Sequence, residues 1–272
     1  MILPLSVLAF TGAVTPSAVA HAAPLEAGTT STVSRVLEDP AIRESSGLAR
    51  STWDRRVLYT HNDSGDSNRV FAFGRAGRTR AVYTLAGATA RDWEDISSGP
   101  DHTLWIADIG DNGNGREYIT VYRFGEPRDV ASRTVKATAY DLVYPDGVAH
   151  NAEGMMVNPV SGRLFIVSKD LDGGRLYLAP KDLSTSRPNV LRELRTVPAT
   201  ITAASFAPDG KRFALRDYTR GYLYASRKAD PVVFDLPSAR QAESLEFGRH
   251  GRTIFTGSEG TESPVWRVRF RD

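Results

Sequence analysis

Carboxylate side chains recur at one position of a repeated sequence pattern. Glu94, Glu153 and Glu243 each stand at the start of an apolar run, and Ser46 and Ala204 take the same position in two further units. Carboxylates that converge repel one another, so such a group binds a cation or raises the pKa of one member enough for general acid–base catalysis. The alternative is that each glutamate accepts hydrogen bonds from backbone amides of a neighbouring unit. Because the position repeats, we expect the glutamates to converge.

Two loops combine oxygen-bearing side chains with glycines. One runs from Asp108 to Gly115 and includes Asp111 and Asn112, and the other runs from Asn62 to Asn68. Oxygen donors suit Ca²⁺ or Mg²⁺, and glycine lets the backbone wrap tightly around an ion. The chain has no cysteine and five histidines, which argues against zinc and iron–sulfur centres. Ordinary Asx turns are the alternative, since neither loop has the spacing of an EF-hand.

The elements that must position these residues form five repeated units. Each unit contains short runs rich in β-branched and aromatic residues, separated by Gly, Pro, Asp and Asn. The pattern predicts an all-β fold, a β-propeller of five four-stranded blades, with six blades or two stacked sandwiches as alternatives. The fifth unit has only three runs. We therefore predict that Thr32–Leu37 supplies its missing strand and closes the last blade.

The predicted site lies at one end of this propeller. In an antiparallel blade the start of the first strand and the end of the second strand share one end, so polar residues at both points face the same way. We expect Ca²⁺ or another hard divalent cation there. The predicted metal ligands are Glu94, Asp108, Asp111, Asn112, Glu153, Asp217 and Glu243. The predicted ligand-binding residues are His61, Asn62, Asp63, Lys169 and Arg216.

Charge balance and the N-terminus bear on partners and location. The 272 residues include 34 Lys and Arg against 32 Asp and Glu, so no basic surface for a nucleic acid is expected. Residues 1–22 hold an apolar run followed by small residues, which predicts a signal peptide, with 23–272 as a single propeller domain. A transmembrane helix is the alternative, but Thr11 to Ser17 interrupts the apolar run too early for one. We expect a secreted monomer without a membrane span after signal cleavage.

Four short motifs resemble segments of secreted bacterial β-propellers of the phytase-like/esterase-like and TolB-like types. The segments are His61–Asp66, Asp92–Ile96, Ala107–Asn112 and Ala152–Gly154. The resemblance implies a propeller fold over nearly the whole mature chain. Several propeller hydrolases of this kind, including gluconolactonase-type enzymes and propeller phytases, hold calcium or another divalent cation between carboxylates. Their ligands do not match residues here one by one, so the resemblance implies a fold rather than a reaction.

Two functions stay open from the sequence. The first is binding of an extracellular ligand or protein on the acidic face, which ranks ahead because no complete catalytic set is visible. The second is cation-dependent hydrolysis of a phosphoester, an ester or a lactone. The G-x-S-x-G elbow, the P-loop and the dinucleotide fingerprint are absent. A phosphate substrate would need basic partners, for which Arg91, Lys169, Arg216 and Arg220 are the candidates.

Overall fold

The structure is a computed structural model that describes residues 26–271, so the predicted signal peptide lies outside the described residues. The chain opens with β1 (Glu26–Ala27) and β2 (Thr29–Val36). Blade one is β3 (Ala49–Arg50), β4 (Leu58–Thr60), β5 (Arg69–Phe73) and β6 (Thr79–Ala86). Blade two is β7 (Trp93–Gly99), β8 (Thr103–Asp108), β9 (Ile119–Gly125) and, after β10 (Arg133–Lys136), β11 (Thr138–Val143).

The remaining three blades follow the same plan. Blade three is β12 (Ala152–Val157), β13 (Leu164–Ser168), β14 (Gly174–Leu178) and, after β15 (Asn189–Val190), β16 (Arg192–Val197). Blade four is β17 (Ala203–Phe206), β18 (Phe213–Arg216), β19 (Arg220–Tyr224) and β20 (Pro231–Asp235). Blade five is β21 (Ser244–Phe247), β22 (Thr253–Gly257) and β23 (Pro264–Phe270), with β2 as its outer strand. The prediction of an all-β propeller with five blades is confirmed.

The N-terminal strand closes the ring, as predicted. β2 pairs antiparallel with β23, from Thr29 opposite Phe270 to Val36 opposite Pro264, so it begins three residues before the predicted Thr32. Blades five and one also share a buried apolar cluster that includes Leu37, Phe71 and Val265. The first and last blades are therefore held together by both backbone pairing and side-chain packing.

Three short strands were not predicted from the sequence. β1, β10 and β15 add parallel to the outer edges of blades four, one and two, respectively. They cover edges that would otherwise leave unpaired N–H and C=O groups. Their shortness explains why the pattern of apolar runs did not reveal them. No helix among residues 26–271 is long and apolar enough to cross a membrane.

The apolar core lies between adjacent blades, and a buried carboxylate lies among the innermost strands. The innermost strands are buried on both faces, as β12 shows along its whole length. Below the mouth of the central channel, the fully buried carboxylate of Asp95 accepts hydrogen bonds from the backbone amides of Ile96, Met155 and Ala204. These donors belong to blades two, three and four. Asp95 thus ties three innermost strands together and fixes how close they lie.

Candidate functional site

Six carboxylates from blades one, two, three and five converge at the mouth of the central channel. One carboxylate oxygen from each of Asp63, Asp92 and Glu94 lies within 4.8 Å of the others, and the same holds for Asp63, Glu243 and Glu259. Asp63 belongs to both groups. The sixth carboxylate is Glu153. Burial raises the pKa of Glu94, and repulsion from the nearby Glu153 raises it further. We call these residues and the neighbouring Lys169 the funnel: Asp63, Asp92, Glu94, Glu153, Lys169, Glu243 and Glu259.

Two of the funnel glutamates sit on β-bulges. The pairing of β7 with β8 skips a residue between Trp93 and Asp95, and that of β12 with β13 skips one between Ala152 and Gly154. The skipped residues are Glu94 and Glu153. A bulge leaves one residue out of the ladder and turns its side chain away from the regular alternation. The bulges therefore let both glutamates face the channel without displacing the apolar residues beside them.

Burial and mutual repulsion raise the pKa of every funnel carboxyl. Burial raises the pKa of Asp63 to about 7, with repulsion from Asp92 and Glu259 adding to it. The pKa of Glu243 rises to about 7 for the same reasons, and that of Glu259 to about 8. The pKa of Asp92 is also raised, and that of Glu94 lies well above its usual value. These carboxylates lack the positive charge that would stabilise them all in the ionised form.

Free acceptor atoms and a close approach of the backbone inside the funnel fit a cation. Among residues 26–271, the buried Oε2 atoms of Glu153 and Glu243 accept no hydrogen bond, although buried acceptors normally have a partner. Gly110 passes directly over two of the carboxylates. A Cβ atom at Gly110 would lie 2.0 Å from Oε1 of Glu94 and 2.3 Å from Oδ2 of Asp92. The oxygen-only donor set and the free acceptor atoms are features expected of a Ca²⁺ or Mg²⁺ site, and glycine at position 110 leaves the carboxylates unobstructed by a side chain.

Lys169 is the only cationic side chain that pairs with a funnel carboxylate within the described ranges. Its Nζ donates hydrogen bonds to Oε1 of Glu153 and, at 2.6 Å, to the hydroxyl of Tyr218. Burial alone would lower the pKa of Lys169, but the Glu153 carboxylate outweighs it and the pKa is raised. Burial raises the pKa of Glu153 to about 7, with Lys169 opposing the rise. One ammonium group therefore offsets only part of the charge of the six carboxylates.

The loop of residues 108–118, here the blade-two loop, is closed by its own side chains. Asp108 pairs with Arg116 at 2.8 Å, and both side chains are almost fully buried. Asp111 accepts hydrogen bonds from the backbone amides of Gly115 and Arg116, and Asn112 accepts one from Asn151. Asp108 also accepts hydrogen bonds from the backbone amides of Arg91 and Asp92, so it contacts the backbone of a funnel residue while its charge is paired within the loop. The assignment of Asp108, Asp111 and Asn112 as metal ligands stays a prediction.

Asp217 and Arg216 also have internal partners. The Asp217 carboxylate accepts hydrogen bonds from the backbone of Thr219 and Arg220 and from the Tyr222 hydroxyl. Arg216 is buried, and its guanidinium donates to backbone carbonyls of blades four and five and to Thr256. Arg216 therefore supports the wall of the channel from within.

His61 and Asn62 lie beneath the mouth. Burial lowers the pKa of His61 to about 4, so the ring is neutral and its Nδ1–H donates to the carbonyl of Asn62. The Asn62 side chain accepts from two backbone amides and donates to Ala41 and Asp66. Of the five predicted ligand-binding residues, the structure brings Asp63 and Lys169 into the funnel. The predicted metal ligands that it brings there are Glu94, Glu153 and Glu243.

Three funnel features were missed as site residues from the sequence. Asp92 and Glu259 stand at the start of a first strand and the end of a second strand, so their topological position was informative. Asp108 and Asp217 are also acidic and stand at the ends of second strands, so topological position alone did not distinguish Asp92 and Glu259 from them. Gly110 was visible as a glycine in an acidic loop, but its place above Glu94 and Asp92 depends on the folded chain.

Comparisons with known proteins support the fold. No protein-family model matches the chain, and a comparison with curated protein sequences found no match. An aldose sugar dehydrogenase from Streptomyces coelicolor, solved with bound PQQ, aligns with a TM-score of 0.52 at 12% identity over 92% of this chain and 100% of that chain. A protein named as a candidate gluconolactonase aligns with a TM-score of 0.50 at 14% identity over 91% of this chain and 94% of that one. This chain is similar to both in its β-propeller fold.

Proposed function

We propose that the funnel binds a divalent cation, with Ca²⁺ as the best fit, and hydrolyses an ester or a lactone. The observation that carries the proposal is the set of six converging carboxylates, whose raised pKa values and free acceptor atoms call for a cation. The fold similarity to a candidate gluconolactonase makes a lactone a reasonable first substrate.

Within the funnel, we assign cation binding and proton transfer to different residues. A bound divalent cation would lower the pKa of a water molecule and polarise a substrate carbonyl. In this proposal Asp63 holds the cation together with Asp92, Glu94 and Glu243, because Asp63 belongs to both groups of converging oxygens. Glu259, which is partly exposed and lies beside Asp63 and Glu243, accepts the proton of the attacking water and returns it to the leaving oxygen.

The charge of the funnel favours a neutral substrate over a phosphoester. A dianionic phosphate would face six carboxylates with only Lys169 to offset them. Arg216 donates to backbone carbonyls inside the wall, and Arg91 and Arg220 are exposed. PQQ, a tricarboxylate, fits the same surroundings poorly. We therefore favour a neutral ester or lactone over both a phosphoester and this redox cofactor.

A substrate panel with and without cation tests the proposal. Lactones, carboxylic esters and phosphoesters are offered to the purified protein in Ca²⁺, in Mg²⁺ and in chelator. We expect Ca²⁺-dependent hydrolysis of a lactone or an ester, which Glu94→Gln abolishes. Glu262→Gln is the matched control, because Glu262 lies on an exposed turn of blade five and this variant should retain activity. Hydrolysis whose rate is unchanged by chelator and by Glu94→Gln would contradict the proposal.

Binding without turnover is the second candidate. Three apolar side chains are exposed on loops at the mouth end of blades two and three: Tyr118, Val148 and Leu171, of which Leu171 is 85% exposed. Exposed apolar groups beside a polar site are typical of a surface that contacts a ligand or a partner. Calcium-dependent ligand binding with no hydrolysis in the panel would favour this candidate.

We further propose that the protein is exported and acts as a monomer outside the cell, without a nucleic-acid partner. The support is the apolar N-terminal segment and the near balance of basic and acidic residues. N-terminal sequencing of protein recovered from the culture medium should show cleavage near residue 22. Sedimentation of the mature protein should give the mass of one chain.

A further inference from the structure

A tyrosine at the funnel has a hydroxyl proton with no acceptor. Tyr218 lies in the turn between β18 and β19, and it is half-buried. Its oxygen accepts a hydrogen bond of 2.6 Å from Nζ of Lys169, which also lies 5.0 Å from the centre of the Tyr218 ring. Within residues 26–271, no group accepts a hydrogen bond from the Tyr218 hydroxyl. The phenol can therefore donate to a molecule that enters the channel.

Two other tyrosines, Tyr222 and Tyr59, use this proton internally. The hydroxyl of Tyr222, four residues further on, donates to Oδ2 of Asp217 at 2.6 Å, and that of Tyr59 donates to Glu126 at 2.8 Å. Tyr218 differs because its partner is a donor. An ammonium group has three donors and no acceptor, so Lys169 occupies the phenol oxygen and leaves the proton available.

Lys169 also makes this hydroxyl a stronger donor. A hydrogen bond from a positively charged group draws electron density from the phenol oxygen, and bonds in such a chain polarise one another. Glu153 fixes the position of Lys169 from the opposite side. The resulting chain runs from a carboxylate through an ammonium group to a phenol that faces the funnel, so its geometry is fixed before a ligand arrives.

We propose that Tyr218, oriented by Lys169, binds the oxyanion that forms on the substrate carbonyl in the funnel; this inference rests on the proposed hydrolase function. Water adds to the carbonyl carbon, the electron pair of the C=O bond moves to its oxygen, and that oxygen accepts the hydrogen bond of Tyr218. When the pair returns, the bond to the leaving oxygen breaks, and the proton lost by the water ends on that oxygen. Tyr218 touches the reacting atom and keeps its own proton throughout.

The test compares Tyr218→Phe with Tyr222→Phe in calcium-loaded protein. Each variant removes one hydroxyl and keeps the ring, and Tyr222 contacts Asp217 rather than the funnel. We expect Tyr218→Phe to lower kcat/KM by about 100- to 1,000-fold, the loss typical of one oxyanion donor. Tyr222→Phe should keep its activity, and both variants should keep the calcium affinity of the parent.

Binding of an alkylphosphonate monoester to calcium-loaded protein separates this inference from the proposed function. The monoester carries a single negative charge on a tetrahedral phosphorus, so it avoids the repulsion expected for a dianion, and a transition-state analogue loses affinity in parallel with kcat/KM. We expect its affinity to fall about tenfold or more in Tyr218→Phe and to stay unchanged in Tyr222→Phe. A Tyr218→Phe variant with full activity and full phosphonate affinity would overturn the oxyanion site and leave the hydrolase proposal intact. If the parent protein hydrolyses no lactone or ester, the hydrolase proposal fails and the oxyanion inference fails with it, whether or not the phosphonate binds.

Discussion

The funnel and the blade-two loop contain the same kinds of side chains, but different groups face their carboxylates. In the blade-two loop, Asp108 meets Arg116 and Asp111 meets backbone amides, so both buried carboxylates have donors. In the funnel, Asp63 and Glu94 mainly face other carboxylates, with one lysine among six acids. An acidic, glycine-rich loop can therefore supply donors for its own buried carboxylates. The carboxylates that lack such donors, and that the proposed cation would neutralise, come from distant points along the chain.

The comparison also separates stability from function. A closed ion pair such as Asp108–Arg116 contributes to the folded state as it stands, and its loss leaves a buried charge without a partner. The uncompensated funnel carboxylates oppose folding until something neutralises them. Substitutions in the two regions should therefore have opposite effects on the cation-free protein.

The largest effect is expected in the blade-two loop. Asp108→Asn leaves the buried Arg116 without its counter-ion and should lower the free energy of unfolding by about 3–5 kcal/mol. The rise in Tm on adding Ca²⁺ should remain. Asp129→Asn, which breaks the exposed pair with Arg133, is the control and should cost less than about 1 kcal/mol in denaturant unfolding. Loss of the calcium response in Asp108→Asn would show that the loop does hold a cation.

The next effect concerns the glycine above the funnel. Gly110→Ala should reduce calcium-dependent turnover by about 100-fold, because the new methyl group overlaps Glu94 and Asp92 and displaces oxygens that must be positioned to within about 1 Å. Gly113→Ala lies in the same loop, where a Cβ atom meets open space, and should behave like the parent. Titration calorimetry with Ca²⁺ gives an independent readout. Equal calcium affinity in the two variants would place the cation elsewhere.

The pH dependence of stability is the third way to test the comparison. Asp63, Glu243 and Glu259 have pKa values of about 7 to 8 in the folded protein, so between about pH 4 and pH 8 they keep protons that the unfolded chain has released. Cation-free protein should therefore lose stability as pH rises through this window, because the protons held only by the folded state are released. Denaturant midpoints in chelator at pH 5 and pH 8 measure the loss. Saturating Ca²⁺ should suppress it, and a stability that rises with pH in chelator would contradict the repulsion.

The smallest expected effect is a gain. Glu243→Gln removes one funnel charge at nearly constant shape and should raise the free energy of unfolding of cation-free protein by about 1 kcal/mol at pH 8, a typical size for one substitution. The same variant should bind Ca²⁺ about tenfold more weakly, because a charged ligand is lost. Glu262→Gln, on an exposed turn of the same blade, should change neither quantity. A destabilised Glu243→Gln would indicate that the carboxylate has a structural partner.

Much of the architecture could be predicted from the sequence, because blades repeat. The recurring position of Glu94, Glu153 and Glu243 located the funnel, and the missing strand of the fifth unit pointed to the N-terminal strand. The parallel strands β1, β10 and β15 could not be predicted, since segments of two to four residues carry no periodicity of their own. Their pairing depends on the edges beside them.

The choice among carboxylates could not be made from the sequence either. Asp92 and Asp108 stand at comparable positions in one blade, but Arg116 pairs only with Asp108. The bulges at Glu94 and Glu153 shift the register by a single residue, and nothing in the apolar pattern indicates such a shift. Nothing in the sequence distinguished Tyr218 from other polar residues of the loops. Its proposed role depends on a contact with Lys169 from the preceding blade.

Closure of the ring by β2 has a consequence for the order of synthesis. β2 is made before all the other strands within residues 26–271 except β1, and its partner β23 is the last of those strands to be made. Contacts between such distant segments form slowly, and incomplete sheets expose edges to other chains. The propeller of the nascent protein must therefore stay open until β23 has been made. A chain in that state is still suited to threading through a translocation channel, so the late closure is compatible with the proposed export.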